Sequence, residues 1–172
     1  MNNLYITYTP EEIELFKLLS PLKENLTATS KLIEISSKIP IFKDIPKTIL
    51  IRILKDIKII KYQTGEIIIK EGDEDETMYY ILLGSVKVIK QNKLLTILQN
   101  STLIGEMATL LKEKRTASII SYATNNTTLI SFKIDFNLFH TDLGYYFAII
   151  YKNLSIELAK KLLKQNKQLT KN

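Results

Sequence analysis

The residues best suited to chemistry lie in one run, Ile104-Gly105-Glu106-Met107-Ala108-Thr109-Leu110-Leu111-Lys112-Glu113-Lys114-Arg115-Thr116-Ala117-Ser118. Gly105 opens a short helix, whose first turn offers free N–H groups at Met107 and Ala108 and a dipole that favours an anion. Ala108 is small enough to let an anion reach the backbone. Glu106, in the same turn, would repel a phosphate and is better placed to accept a hydrogen bond from a sugar hydroxyl. Arg115 follows after one short helix and a turn, so the chain can fold back and bring its guanidinium fork to the helix start, in a geometry that suits phosphate. Each element alone has an ordinary explanation: Gly-Glu pairs are common, helix starts are capped by water, and a strand Arg is usually solvated. Together they offer a phosphate clamp beside a reader of ribose.

A run of this kind needs a scaffold, and the flanking sequence changes period around it. Thr9-Pro10-Glu11-Glu12 is a helix-start signature, followed by an apolar stripe at Ile13, Phe16 and Leu19. A weaker helical stretch runs from Leu26 to Ser37, Pro40 and Pro46 bracket a connector, and 46–54 reads as one or two helical turns. From Asp56 the period becomes two. Strands are expected at roughly 56–62, 66–70, 77–83, 85–90, 93–98, 116–123 and 127–134, with turns at Thr64-Gly65, Gly72-Asp73, Gly84 and Gln91-Asn92-Lys93. Gly105 to Leu111 interrupts them as a helix. Leu143, Phe147, Ile150, Leu154, Leu158, Leu162 and Leu169 then restore helical spacing, with Lys160, Lys161, Lys164 and Lys167 loading the far end. The fold class expected is mainly β with flanking helices: an antiparallel, jelly-roll-like β-roll with an internal helix and helices at both ends.

Composition narrows the function classes. The 172 residues hold 24 Lys and Arg against 18 Asp and Glu, a net charge of +6, with 45% hydrophobic residues. The lysines are dispersed, so a solvated basic surface explains them better than a nucleic-acid face. Cysteine is absent, which excludes disulfides and thiolate chemistry. The single histidine, His140, sits in Phe136-Asn137-Leu138-Phe139-His140 and reads as structural. No metal site and no set of base, nucleophile and oxyanion donors can be assembled, so no catalytic residue is assigned and the chain is not expected to be an enzyme. No signal sequence and no run near the ~18 apolar residues of a membrane span is visible, and the protein is expected to be cytoplasmic and soluble.

The run from Ile104 to Ser118 resembles the phosphate-binding cassette of the cyclic-nucleotide-binding domain family: Gly-Glu-apolar-small at the helix start, an Arg ten residues after the Gly, and small residues after the Arg. Arg115-Thr116-Ala117-Ser118-Ile119 is similar to the cassettes of cyclic-nucleotide-gated and hyperpolarisation-activated channels. Gly72-Asp73-Glu74-Asp75-Glu76-Thr77-Met78-Tyr79-Tyr80-Ile81 and Gly84-Ser85-Val86-Lys87-Val88 resemble the family's Gly-rich hairpins in the catabolite-activator type, and Ile39-Pro40-Ile41-Phe42-Lys43-Asp44-Ile45 its usual first helical turn. Gly65, Gly72, Gly84 and Gly105 fall on family glycine positions. The chain departs at Asn100-Ser101, where the family often has Gly, at Ile104 in place of an aromatic, and at Lys114 in place of Pro; none of these removes a ligand contact.

The resemblance implies a division into an N-terminal helical extension, 1–38, and a cyclic-nucleotide-binding domain with its C-terminal lid helix, 39–168. It implies that Arg115 pairs with the cyclic phosphate, that Met107 and Ala108 supply backbone N–H groups, and that Glu106 takes the ribose 2′-hydroxyl. Gly105, Thr116 and Ala117 complete the cassette, Thr116 at the phosphate or the base, and Val86 and Val88 form the floor. The expected ligand is cAMP or cGMP, with cAMP preferred as the physiological one, and no cofactor is expected. The chain ends at Asn172, just after the lid helix, so a stand-alone sensor without a helix-turn-helix is expected. It would signal through its terminal helices to a protein partner or to a second copy paired along the C-terminal helix. The alternatives are a vestigial fold used for protein interaction and a pocket recruited for another anion, such as a cyclic dinucleotide.

Overall fold

Eight strands alternate with turns between two helical ends in a computed structural model that describes residues 27–124 and 126–169. The helix expected from Thr9 onward lies outside the described residues. The first described helix is α1 (Thr27–Ser36). A 3-10 turn at Pro40–Phe42 and helix α2 (Lys47–Ile53) follow. The strands are β1 (Leu54–Tyr62), β2 (Ile67–Ile69), β3 (Met78–Leu83), β4 (Ser85–Lys90), β5 (Lys93–Gln99), β6 (Leu103–Ile104), β7 (Ser118–Ser121) and β8 (Thr127–Ile134). Helix α3 (Glu106–Leu111) interrupts them between β6 and β7. The chain closes with a 3-10 turn at Phe136–His140 and the long helix α4 (Gly144–Leu169).

The strands form two four-stranded antiparallel sheets, ordered β1-β8-β3-β6 and β2-β7-β4-β5. This is the β-roll expected from the period-two pattern. Strand β3 is buried along nearly its whole length because one of its faces meets the second sheet and the other meets the helices. It therefore shows none of the alternation that β4 shows. The short strand β6 escaped the sequence reading. Two residues are too few to display a period, yet pairing of Leu103 with Tyr80 and Ile104 with Tyr79 fixes the point at which α3 begins.

Two apolar clusters hold these layers. One joins Ile33 and Ile35 of α1, Phe42, Leu50 and Ile53 to Tyr80, Phe132 and the α4 residues Leu143, Phe147, Ile150 and Leu154. Phe42 and Phe132 meet edge to face at 5.3 Å. Burial of each such side chain contributes about 1.5–3 kcal/mol. Asn153 of α4 also donates to the carbonyls of Ile41 (3.2 Å) and Lys43 (2.8 Å), fastening the first half of the helix to the 3-10 turn. The second cluster lies between the sheets and includes Ile69, Tyr79, Ile81, Val86, Ile104, Ile119 and Leu129. Among the described residues, no helix is long and apolar enough to cross a membrane.

Candidate functional site

Gly105 makes the corner between β6 and α3 with φ +85°, in the left-handed region, and a Cβ there would lie 2.8 Å from Arg115 Nη1 and 2.9 Å from the Thr77 carbonyl. Both the backbone conformation and the close approach of Arg115 demand glycine. At the far end of α3, Lys112 also adopts the left-handed conformation, and the Glu113 amide closes on the Ala108 carbonyl at 3.2 Å. That reversal returns the chain toward the start of the helix. The backbone of Arg115 is then stitched to the turn before β3: its amide donates to the Asp73 carbonyl (2.9 Å) and its carbonyl accepts from the Gly72 amide (2.8 Å).

The Arg115 side chain is 4% exposed and held on three sides. Nη1 donates to the Gly105 carbonyl at 2.8 Å, and Nη2 donates to Asp75 Oδ2 at 2.8 Å and to the Thr77 carbonyl at 2.5 Å. A guanidinium has five N–H donors in a fixed fork, so these bonds leave Nε and one Nη1 hydrogen for a ligand. For Asp75, partial burial pushes the carboxyl upward, but the bonds from Arg115 and Thr77 outweigh it and hold the group below the usual carboxylate range. Asp75 stays charged at neutral pH and fixes the direction of the fork. Thr109 ties α3 to the same turn through a 3.1 Å bond to the Glu76 carbonyl.

Next to this network opens a cavity of about 440 Å³ between the second sheet, the start of α3 and the second half of α4. It is lined by Gly105, Glu106, Met107, Ala108, Arg115, Thr116, Ala117 and Val88, which brings together eight of the nine residues named from the sequence. Val86 is not brought there. It shares a face of β4 with Val88 but lies one step deeper, opposite Leu98 and Ser121, where the first sheet covers it completely at 0% exposure among Ile81 and Leu129. Val88, opposite Thr96 and Ile119, reaches the open end. His140 is exposed and stacks edge-on against Phe139, away from the cavity lining.

Beyond the residues named from the sequence, the lining includes Leu95 and four residues of α4, the helix expected to close over the site as a lid. Leu95 faces the cavity because β4 pairs Val88 with Thr96 but Ile89 with Leu94, leaving Leu95 as an extra residue in a bulge. Leu158, Lys161, Leu162 and Gln165 close the cavity from α4. The lysine was legible in principle: Leu154, Leu158 and Lys161 follow at i, i+4 and i+7, which puts Lys161 on the face turned to the body. Its Nζ reaches Glu106 Oε1 at 2.5 Å, and Glu106 itself is 4% exposed.

Residues 59–135 match the cyclic nucleotide-binding domain family. The chain carries a cyclic nucleotide-binding domain. A cGMP-dependent protein kinase of Plasmodium berghei is 37% identical over 73 residues, which is 42% of this chain and 8% of the kinase. Among solved structures, a cyclic nucleotide-binding domain from Methylobacillus flagellatus superposes with a TM-score of 0.64 at 19% identity, covering 85% of each chain. The catabolite activator protein of Thermus thermophilus superposes with a TM-score of 0.54 at 24% identity, over 76% of this chain and 62% of that one. These two likenesses show the fold. The domain thus spans only a small part of the kinase it matches, and the match runs from the last four residues of β1 through β8 and takes in the whole cassette while leaving α1, α2 and α4 outside.

Proposed function

We propose that this chain binds a 3′,5′-cyclic nucleotide, cAMP or cGMP, in the cavity beside α3 and acts as a non-enzymic sensor whose reporter is α4. The observation that carries the reading is Arg115: a guanidinium 4% exposed, aimed by Asp75 and two carbonyls, at the edge of a cavity large enough for a nucleotide. Pockets for ligands of this class hold roughly 300–1,000 Å³. Arg115 pairs with the cyclic phosphate through its remaining donors, and the amides of Met107 and Ala108 complete the cradle. Glu106 accepts a hydrogen bond from the ribose 2′-hydroxyl. The base lies among Val88, Leu95, Leu98, Leu158 and Leu162. The Thr116 hydroxyl meets the 2-amino group of a guanine held syn over the phosphate, a contact that adenine lacks.

Because α4 supplies one wall, ligand and helix position are linked: a nucleotide that touches Leu158 and Leu162 favours the docked helix and shifts the population toward it. The outward face of α4 carries Tyr145, Ile156 and Leu163, all exposed, and Ile156 and Leu163 lie i, i+7 on one stripe. A second copy of the chain packs there, which carries the change across a two-fold axis. Calorimetric titration with cAMP and with cGMP tests the binding, and light scattering with and without nucleotide tests the dimer. Saturable binding at one site per chain is expected. A protein that takes up neither nucleotide at millimolar concentration refutes the sensor.

A further inference from the structure

Glu106 begins α3 with only 4% of its surface exposed, and a carboxylate so placed needs a partner. Its partner comes from the opposite wall of the cavity, 55 residues further along the chain: Lys161 Nζ to Oε1, 2.5 Å, a charge-assisted bond. A carboxylate has two oxygens and about four acceptor sites, so Lys161 on Oε1 leaves Oε2 for another donor. The pair also freezes a side chain that would otherwise lose rotamer entropy at the moment of binding.

The helix that brings Lys161 is unevenly held. Up to Leu154 it is packed into the core, but Leu162 and Leu163 are 57% and 60% exposed. Beyond Leu154, apolar anchorage is thin, and Lys161, a quarter exposed, is a polar tie back to the body. Arg115 is directed by a carboxylate of its own β-roll, whereas Glu106 is directed by a cation that arrives only with α4.

Resting on the binding reading above, we infer that Lys161 is a positioning residue for ribose recognition: from α4 it holds the Glu106 carboxylate in the cavity wall, so that the 2′-hydroxyl is read only while the helix is docked. By linkage, the 2′-hydroxyl then strengthens docking by the same factor that docking strengthens its recognition. The ribose, more than the phosphate, is the part of the ligand that the helix senses.

The test is the ratio of affinities for cAMP and 2′-deoxy-cAMP, measured by titration calorimetry on the full chain. The wild type should prefer the ribonucleotide by roughly 10- to 100-fold, the range of one charge-assisted hydrogen bond. Lys161→Met should reduce that preference to about threefold or less, Lys161→Arg should restore most of it, and Lys161→Met should change nothing further in a Glu106→Gln background. Loss of mere packing would weaken both ligands alike and leave the ratio where it was. Hydrogen exchange over 158–168 in the ligand-free protein should also rise in Lys161→Met, a readout independent of any nucleotide. If the wild type binds with the expected preference while Lys161→Met keeps it in full, the role of Lys161 is overturned and the binding reading survives. If the wild type binds neither ligand, the binding reading falls and the ribose role with it.

Discussion

The two walls of the cavity are built differently. The cassette wall is tied to the β-roll by backbone and side-chain bonds: Arg115 to Gly72, Asp73, Asp75, Thr77 and Gly105, and Thr109 to Glu76. The ties seen across the cavity from α4 include the packing of Leu158 and the Lys161–Glu106 ion pair, with Leu162 and Leu163 largely in solvent. A rigid wall facing a loosely held helix is the arrangement the proposed sensor needs. On the proposed reading, the fixed wall would supply affinity without reorganisation, and the held-lightly wall a state that a few kcal/mol of ligand contact can shift.

The comparison can be broken first at the rigid wall. Arg115→Ala removes one partner of a buried charge pair, a change that costs about 3–5 kcal/mol, so cyclic-nucleotide affinity should fall roughly 10²–10³-fold. Titration calorimetry checks this, and a variant within a few-fold of wild type would remove Arg115 from the site. The contrast within α4 comes next. Leu154→Ala, at a side chain 2% exposed, should lower stability by about 2–5 kcal/mol. Leu163→Ala, at one 60% exposed, should stay within about 0.5 kcal/mol. Urea unfolding of the two variants decides whether the halves of the helix differ as described; equal losses would mean that they do not.

A smaller effect is expected at Thr116. Removing its hydroxyl should cost cGMP about 0.5–1.5 kcal/mol, the net worth of a neutral hydrogen bond, and leave cAMP almost unchanged. Competition assays with both nucleotides measure it, and equal losses would take Thr116 out of base selectivity. The smallest concerns acid. Asp75 has a folded pKa held below its unfolded value, so its contribution to stability is complete above the unfolded value and disappears as pH falls through the folded one. The stability difference between the wild type and Asp75→Asn should therefore shrink as pH drops from roughly 5 toward 3, as followed by urea unfolding at each pH. A difference that grows on acidification would show that Asp75 is not the group held charged beside Arg115.

What could be read from the sequence depended on how local the physics was. The cassette was legible because Gly105 and Arg115 are constrained by contact with one another, at a spacing set by one short helix and its reversal. The strands were legible wherever one face met solvent, as in β4. In β3 both faces are covered, and it was found at 77–83 by its apolar run and flanking turns without alternation; β6, where only two residues pair, was missed. Val86 and Val88 look alike in a period of two, and only the reach of the first sheet over β4 separates a core residue from a cavity residue. Asp75 lay inside a segment singled out for its turn, yet its bond to Arg115 crosses 40 residues, which no local pattern reports. Lys161 was hidden by its type. A lysine near the end of a helix reads as solvated, and its pairing with Glu106 emerges only once α4 is laid across the sheet.

The most direct test of the two-wall account is hydrogen exchange along the full chain, with and without saturating cAMP or cGMP. Bound nucleotide should add protection at 105–117, where the proposed anion site lies, and a larger change over 155–168, where the wall is loose, while Leu129 to Phe132 in the core of β8 stays as it was. Protection confined to 105–117, with 155–168 unchanged, would make the chain a passive binder, and no change at either wall would contradict the account.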